Sequence, residues 1–340
     1  MSVTETAHGS WAKATKGWLS RLHDGAGFLP VLLVLEVIIL SLFAPHFLDL
    51  HNIVNVLRAS ALLVIASAGQ MLVLIVGGFD LSVDAAVALT SVVSASVMVA
   101  MGHAFGHEPG LAIGLGVAAG LIAGAAIGLV NGLCVAFLRV SPFMVTLATM
   151  SVATGVAFLL TSGMPIYGMP KPYVAQFGRG LWFGLPASFY LAAAVVAVVW
   201  VLQNRTRLGR HIHAVGGNLQ AALVSGVRVK TCLVITYVAC SLLAAIAGLS
   251  ITAEIGSGEA AMGTSLTLES IAAAVIAGVS LKGGIGRVEL VTLGAIFLVM
   301  LTNAMDLFHV DSKVQVIFLG VIVVAVVAVD EVAKRRKRLA

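Results

Sequence analysis

The sequence predicts an all-α polytopic membrane protein with about ten transmembrane helices. Apolar residues make up 60% of the 340 residues and charged residues only 10%, and the mean hydropathy is +1.07. So much apolar surface cannot be buried in one soluble core of this size. The apolar residues also fall into separate runs close to the roughly 20 residues that a helix needs to cross a bilayer. Both observations indicate a chain that crosses the membrane repeatedly.

Ten apolar runs follow one another along the chain, and each is interpreted as one span of a transmembrane domain that covers residues 28–330. The eighth run is short, so it either crosses with the help of flanking residues or enters the bilayer only partway, as broken segments in transporters do. The runs lie at about residues 28–47, 53–76, 85–100, 110–137, 143–162, 187–203, 232–252, 271–279, 290–305 and 314–329.

The distribution of basic residues predicts the orientation of these spans. If both termini are cytoplasmic, 16 of the 20 Lys and Arg residues fall in inner segments, as the positive-inside rule requires. These segments include an N-terminal tail at 1–27, the loop 204–230 and a basic tail at 331–340. Spans two to five and seven to ten then run in opposite directions, so an inverted repeat is a hypothesis. The basic residues are explained by topology, and no aromatic-laced basic face for nucleic acid occurs.

The loop 204–230 is the polar interruption between spans six and seven. Within it, Asn218 precedes a short apolar segment that ends at Gly226, which predicts a helix over 218–225 with an N-cap and a glycine stop. Such a helix either docks a partner or rests on lipid headgroups as an interfacial amphipathic helix. The pattern does not decide between these two. The basic residues of the loop are Arg205, Arg207, Arg210, Arg228 and Lys230.

A second interruption, Gly-Gly-Phe-Asp-Leu-Ser-Val-Asp at residues 77–84, separates spans two and three. The two glycines can end one helix, and Asp80 or Ser82 can cap the next, with Asp84 in its first turn. The structural interpretation is a tight turn between helices. An acidic residue at such a break is also typical of translocation pathways, so both roles remain open for Asp80.

Three other features receive structural interpretations. Glycines at every fourth position from 116 to 132 form a stripe on one side of span four, which predicts close helix packing. The three cysteines lie inside apolar segments and are interpreted as small packing residues, without a disulfide framework or metal spacing. The outer loop 163–186 is either an ordinary connector or a segment that forms an outer cap or receives an external partner.

Three ordered motifs carry a resemblance to a known family. They are the turn at 77–83, the loop Gly-Arg…Ala-Val-Gly-Gly-Asn…Ala-Ala…Ser-Gly-Val at 209–227, and the run Ile-Ala-Ala…Gly-Val-Ser-Leu-Lys-Gly-Gly-Ile-Gly at 271–286. Together they closely resemble the permease subunits of ribose-type bacterial ABC sugar importers, from about the second span to the last. The chain departs from the family pattern at Asp84, Ala277, Ala304 and Glu289.

The resemblance implies a multi-pass permease of the bacterial inner (plasma) membrane that forms a channel from two copies, here expected to be a homodimer. A cytoplasmic ABC ATPase powers it, and an extracytoplasmic sugar-binding protein delivers the sugar. The permease itself is not an enzyme and binds no cofactor, because ATP and Mg²⁺ belong to the ATPase. The sequence agrees, since it lacks the motif GxxxxGK[ST] and contains no Gly-Lys dipeptide.

The resemblance also implies roles for particular residues. The helix at 218–225 is expected to be the coupling helix that enters a groove of the ATPase, with Gly216 and Gly217 permitting its sharp approach and Arg210 meeting acidic groups. The helix breaks at 77–82 and 280–286 are expected to lie close to the pathway of alternating access. The expected coupling residues are Arg210, Gly216, Gly217, Asn218, Ala221, Ala222 and Gly226, and the expected pathway or gate residues are Gly77, Gly78, Asp80, Leu81, Ser82, Ser280, Gly283 and Gly284.

Three alternatives remain. An importer of branched-chain amino acids belongs to the same broad transporter group. A self-contained secondary transporter needs polar groups that meet near the midplane, whereas Gln70, Asn131 and Asn303 are interpreted as scattered. A membrane enzyme needs a reactive set, and the pair His103 and His107 has a metal-binding spacing but no HExxH motif, which favours a surface loop.

Overall fold

The computed structural model describes residues 29–104, 108–318, 320–322, 324 and 328. The predicted tails at 1–27 and 331–340 and His107 lie outside these residues. Two π-helical segments, Cys134–Leu138 and Tyr173–Gly178, and an antiparallel hairpin of β1 (Leu181–Trp182) and β2 (Leu185–Pro186) accompany the α-helices. The α-helices are α1 (Leu29–Phe43), α2 (Leu50–Ile75), α3 (Val83–Ala104), α4 (Pro109–Leu133), α5 (Pro142–Thr161), α6 (Ala187–Arg205), α7 (Arg207–Gly217), α8 (Leu219–Val224), α9 (Val229–Ile255), α10 (Leu266–Ile276) and α11 (Val288–Leu307).

Seven helices in the described part of the chain are long and apolar enough to cross a membrane: α2, α3, α4 with its π-helical continuation, α5, α6, α9 and α11. This confirms the all-α polytopic class. Three shorter apolar helices, α1, α10 and Ser312–Ile322, occupy the positions of the predicted first, eighth and tenth spans, so the count of ten spans stays a prediction. The 11 residues of α10 extend over about 16 Å, roughly half of a hydrocarbon core. This length favours partial entry for the eighth segment.

Helix α2 lies at the centre of the bundle and packs against α6, α9, α10 and α11. In its most apolar window 83% of the residues are buried, because the helix is apolar on all sides and has protein neighbours on all sides. Fully buried side chains such as Ile65, Met71 and Leu72 fill this core. The ends of α2 are therefore held in place by several helices at once.

The glycine stripe of α4 lies where two helices approach closely, as predicted. A Cβ atom on Gly120 would lie 3.0 Å from the Thr90 side chain of α3. Farther along, a Cβ atom on Gly128 would lie 2.6 Å from the carbonyl oxygen of Tyr237 in α9. The stripe therefore packs first against α3 and then against α9. The cysteines are free thiols, in agreement with a packing role.

The connector after α5 forms a cap on the C-terminal end of α9. The Tyr173 hydroxyl donates a hydrogen bond to the Leu249 carbonyl at 2.7 Å, and the Arg179 side chain donates to the carbonyls of Glu254 and Ile255. Arg58 of α2 reaches the same cap by donating to the Arg179 carbonyl at 2.9 Å. Of the two predicted alternatives for this loop, the packed cap is the one that the contacts support.

Helices α3 and α10 begin side by side and hold each other by two reciprocal hydrogen bonds. The Asp84 amide donates to Thr267 Oγ1 at 3.0 Å, and the Thr267 amide donates to Asp84 Oδ1 at 2.6 Å. Each side chain thus satisfies one of the unpaired amides at the start of the other helix. The pair joins the third and eighth predicted segments, which correspond to each other in the inverted-repeat hypothesis.

Candidate functional site

Three backbone segments meet without side chains between them at a place that we call the glycine junction, made of Ile75, Gly216, Gly283 and Gly284. The Gly284 amide donates a hydrogen bond to the Ile75 carbonyl at 2.8 Å. A Cβ atom on Gly216 would overlap that same carbonyl oxygen, and one on Gly283 would lie 2.8 Å from the Gly216 carbonyl oxygen. The ends of α2 and α7 and the turn after α10 are therefore in direct contact.

The turn after α10 requires glycine because of its backbone conformation. Gly283 and Gly284 have φ angles of +89° and +79°, a region that residues with a Cβ atom rarely occupy. The Ser280 amide donates to the Ile285 carbonyl, and the Gly283 amide donates to the Ser280 carbonyl, both at 3.0 Å. This closed turn presents the Gly284 amide to Ile75.

Gln203, near the C-terminal end of α6, fixes the position of this turn. Its side-chain amide donates to the Gly286 carbonyl, and its Oε1 accepts from the Val288 amide at 3.1 Å. The His213 ring of α7 lies 3.3 Å from the same Gly286 carbonyl. Neither Gln203 nor His213 was predicted as a site residue from the sequence, and the available signal was a glutamine at the end of an apolar span.

Helix α7 corrects the predicted structure of the loop 204–230. Gly216 and Gly217 were expected to permit the sharp approach of the coupling helix from a loop, but they are the last residues of an 11-residue helix. The helix forms because Thr206 caps it, with Oγ1 accepting from the Gly209 amide at 3.1 Å, and because Ile212 and Val215 bury one face. Gly216 is small to permit backbone contact at the glycine junction. Arg210 lies on the exposed surface of this helix.

Helix α8 is present where the sequence predicted a short helix. Asn218 Oδ1 accepts from the Ala221 amide at 3.0 Å, and Gly226 ends the turn with a φ angle of +78°. Ala222 is only 3% exposed, because it packs in the main core. It is therefore not available to a partner in this structure. Ala221 is exposed, and the large apolar residues on the exposed surface of α8 are Leu219, Leu223 and Val224.

The break between α2 and α3 is longer than the tight turn that was predicted. Gly77 has a φ angle of +79°, and the chain becomes helical again only at Val83. The reason is that α3 begins beside α10, away from the end of α2. Gly78 lies against Tyr237 of α9, whose hydroxyl donates to the Phe79 carbonyl at 3.4 Å. Leu81 is half-buried.

Asp80 lies fully buried in this break. Its Oδ1 accepts from the Ser82 amide at 2.9 Å and from the Ser82 hydroxyl at 2.6 Å. Asn131 of α4 in turn donates to Ser82 Oγ at 2.8 Å. We call Asp80, Ser82 and Asn131 the Asp80 cluster. Asp80 supports the start of α3 through a local turn, which agrees with the capping role.

The three intramembrane amides that were interpreted as scattered have separate partners. Asn131 belongs to the Asp80 cluster, and the Cys240 thiol lies 4.0 Å from the buried Gln70 side chain. Asn303 exchanges two hydrogen bonds with Asn52, at 2.8 and 3.0 Å. These partners are far apart in the chain and could not be predicted from the sequence. Within the described ranges, no group of three or more His, Cys, Asp or Glu side chains is arranged to hold a metal ion.

The residues predicted to form one pathway therefore lie in two places. Ser280, Gly283 and Gly284 lie at the glycine junction with the predicted coupling residue Gly216. Asp80 and Ser82 form the buried cluster with Asn131. Gly77 lies between them, since a Cβ atom on it would lie 3.9 Å from the Lys282 carbonyl oxygen. Through Asn218 and the glycine junction, the exposed helix α8 is connected by backbone contacts to the end of the central helix α2.

Comparisons with known proteins identify the family of this chain. Residues 52–327 match the family described as branched-chain amino acid transport system / permease component. The chain is 38% identical over 299 residues to the ribose import permease protein RbsC of Bacillus subtilis (strain 168), covering 88% of this chain and 90% of that protein. It is 34% identical over 338 residues to the L-arabinose transport system permease protein AraH of Escherichia coli (strain K12), covering 99% of both.

The D-allose transport system permease protein AlsC of Escherichia coli (strain K12) is 31% identical over 312 residues, which cover 92% of this chain and 93% of that protein. No solved structure matches the chain. The family match extends from α2 to the helix that begins at Ser312, so it includes the glycine junction and the Asp80 cluster. The chain is a multi-pass permease of the bacterial inner membrane, a transport component and not an enzyme, and it belongs to the branched-chain amino acid transport system / permease component family.

Proposed function

We propose that this chain is the transmembrane permease subunit of an ATP-driven sugar importer that works by alternating access. A separate ABC ATPase binds α8 on the cytoplasmic side and carries ATP and Mg²⁺, two copies of the permease form the pathway, and an extracytoplasmic sugar-binding protein delivers the substrate. The observation that supports coupling is the position of α8, an exposed apolar helix joined through Asn218 to the glycine junction. The relatives are named as transport proteins for ribose, L-arabinose and D-allose, and these names support a sugar as the substrate.

The contacts suggest how motion of the ATPase reaches the pathway. A displacement of α8 moves the end of α7, because only Asn218 separates the two helices. Backbone atoms of α7 touch those of Ile75 and Gly284 directly, so no flexible side chain absorbs the displacement. The end of α2 and the turn after α10 then move together, and the helix groups tilt between inward-open and outward-open states.

Uptake into liposomes tests this function. The permease is reconstituted with the ATPase and the binding protein of its own transport system. We expect these liposomes to accumulate a labelled sugar when ATP is supplied on the side of the membrane where the ATPase lies. Ribose, L-arabinose, D-allose and leucine are compared, because the family description names branched-chain amino acids. Leucine uptake without sugar uptake would favour that second substrate class. Accumulation by the permease alone against a gradient would show a secondary transporter.

A substitution in α8 tests the coupling role. Val224 is 90% exposed, and we expect Val224→Arg to weaken association with the ATPase at least about tenfold, since a buried charge replaces an apolar contact in the partner's groove. Phe183→Arg is the matched control, because Phe183 is fully exposed on the hairpin of the predicted outer side. Association is measured by co-purification and by titration. Equal affinities for both variants would contradict the role of α8.

A further inference from the structure

A basic cavity of about 420 Å³ lies between α7 and the first turns of α9. We use the name basic cavity for this space. Its polar walls carry Arg207, His211, Arg228 and Thr231, and its apolar walls include Leu208 and Ile235. Of the predicted coupling residues, Gly226 lines it, whereas Ala221 and Arg210 do not. The cavity therefore adjoins the C-terminal end of α8 but not its exposed residue Ala221.

The electrostatics of the basic cavity favour an anion. The loop 204–230 contains five Arg and Lys residues and no Asp or Glu, so no acidic group within the loop neutralises Arg207 and Arg228. The start of α9 adds partial positive charge, because Arg228 at its N-cap makes no side-chain capping bond and the first amides of a helix have no intrahelical partner. A guanidinium pair and a hydroxyl are groups that bind phosphate.

The apolar walls indicate that the anion belongs to a lipid. Ile235 lies six residues into the membrane-spanning helix α9, about 9 Å along its axis, and is 40% exposed. The cavity thus continues from the basic inner end of the helix along its apolar surface. Nearby, the Lys230 ammonium group lies 4.8 Å from the centre of the Phe137 ring, an arrangement typical of the level of the headgroups.

We propose that the basic cavity binds an anionic phospholipid of the inner leaflet, such as phosphatidylglycerol. Arg207 and Arg228 hold the phosphate, Thr231 donates a hydrogen bond to it, and one acyl chain lies along Ile235. Because Gly226 also lines the cavity, the lipid contacts α7, the end of α8 and the start of α9 together. This inference does not depend on which substrate is transported or on which ATPase binds α8.

Native mass spectrometry of the purified, delipidated full chain tests the proposal. Phosphatidylglycerol is titrated against phosphatidylcholine with the same acyl chains, and glycerol phosphate is added as a competitor without chains. Each basic residue near an anionic headgroup contributes about 1 kcal/mol. We therefore expect Arg207→Gln and Arg228→Gln each to lower the affinity for phosphatidylglycerol about fivefold, and the double variant about 30-fold. Thr231→Trp, which fills the cavity without changing its charge, is also expected to lower that affinity.

Arg205→Gln is the matched control, because Arg205 is a neighbouring basic residue that does not line the cavity. It is expected to retain the affinity of the unchanged chain. Equal binding of the two lipids, an equal loss in Arg205→Gln, or full displacement by glycerol phosphate overturns the proposal. If the double variant keeps its lipid affinity but loses association with the ATPase, the cavity is part of a protein interface and the proposal is wrong.

Discussion

Gly216→Ala is expected to abolish uptake while the ATPase still binds. The added Cβ atom would overlap the Ile75 carbonyl oxygen, and neither partner can turn aside because both are backbone. The end of α7 must therefore move, and the hydrogen bond from Gly284 to Ile75 is lost or lengthened. Overpacking costs about 1–3 kcal/mol and a lost hydrogen bond about 1 kcal/mol. We expect at least about a 100-fold loss of ATP-driven uptake, since 1.4 kcal/mol corresponds to a factor of ten.

Gly217→Ala separates this contact from the effect of helix propensity. The residue is adjacent in α7, and a Cβ atom on it would meet no atom of the described residues within 4 Å. Alanine is also the better helix former, by up to about 1 kcal/mol. We expect uptake and thermal stability of Gly217→Ala to match those of the unchanged permease. The same loss of uptake in both variants would show that flexibility at the end of α7, and not contact at the glycine junction, is what coupling requires.

The fold class and the positions of the spans were predictable because they depend on local properties. A bilayer requires an apolar run of fixed minimum length, so the hydropathy pattern located α2, α9 and α11 without any knowledge of their neighbours. The short helix α8 was predictable for the same reason. Its N-cap, Asn218, and its stop, Gly226, act within one or two turns of the chain.

Helix α7 carried a local signal that was overlooked. Leu208, Ile212 and Val215 recur at the helical spacing of four and three residues, and they form the buried face of a helix that Thr206 caps. The glycines at 209, 216 and 217 made this segment resemble a loop. The sequence does not distinguish a glycine that permits close backbone contact from a glycine that permits a turn. The role of Gly216 can be assigned only once the structure shows that Ile75 lies against it.

The Asp80 cluster could not be predicted from the sequence. Asp80 and Ser82 are neighbours, but Asn131 approaches them only because the glycine stripe of α4 allows that helix to pack closely against α3 and α9. The local part of the role, support for the start of α3, followed from the order of the residues. The tertiary part depends on helix packing, which one sequence does not determine.

Asp80→Ala is expected to be the most damaging change in the buried break. It removes the oxygen that accepts from both the amide and the hydroxyl of Ser82. An unpaired buried polar group costs about 1–3 kcal/mol, and two such groups are left, so we expect a destabilisation of about 2–6 kcal/mol. The variant should accumulate poorly in membranes and melt at a lower temperature in detergent, as measured by tryptophan fluorescence or by loss of the monodisperse peak on heating.

Asp80→Asn distinguishes positioning from a role of the carboxyl group itself. Asparagine retains an oxygen at the place of Oδ1, so both hydrogen bonds from Ser82 persist and the start of α3 is held as before. If Asp80 acts only as a positioning residue, Asp80→Asn retains the melting temperature of the unchanged permease and its ATP-driven uptake to within about twofold. Asp80→Ala loses both. An Asp80→Asn variant that melts as the unchanged permease does but shows no uptake would contradict a purely positioning role. The fold would then tolerate the change, whereas transport would require a group that can lose its proton.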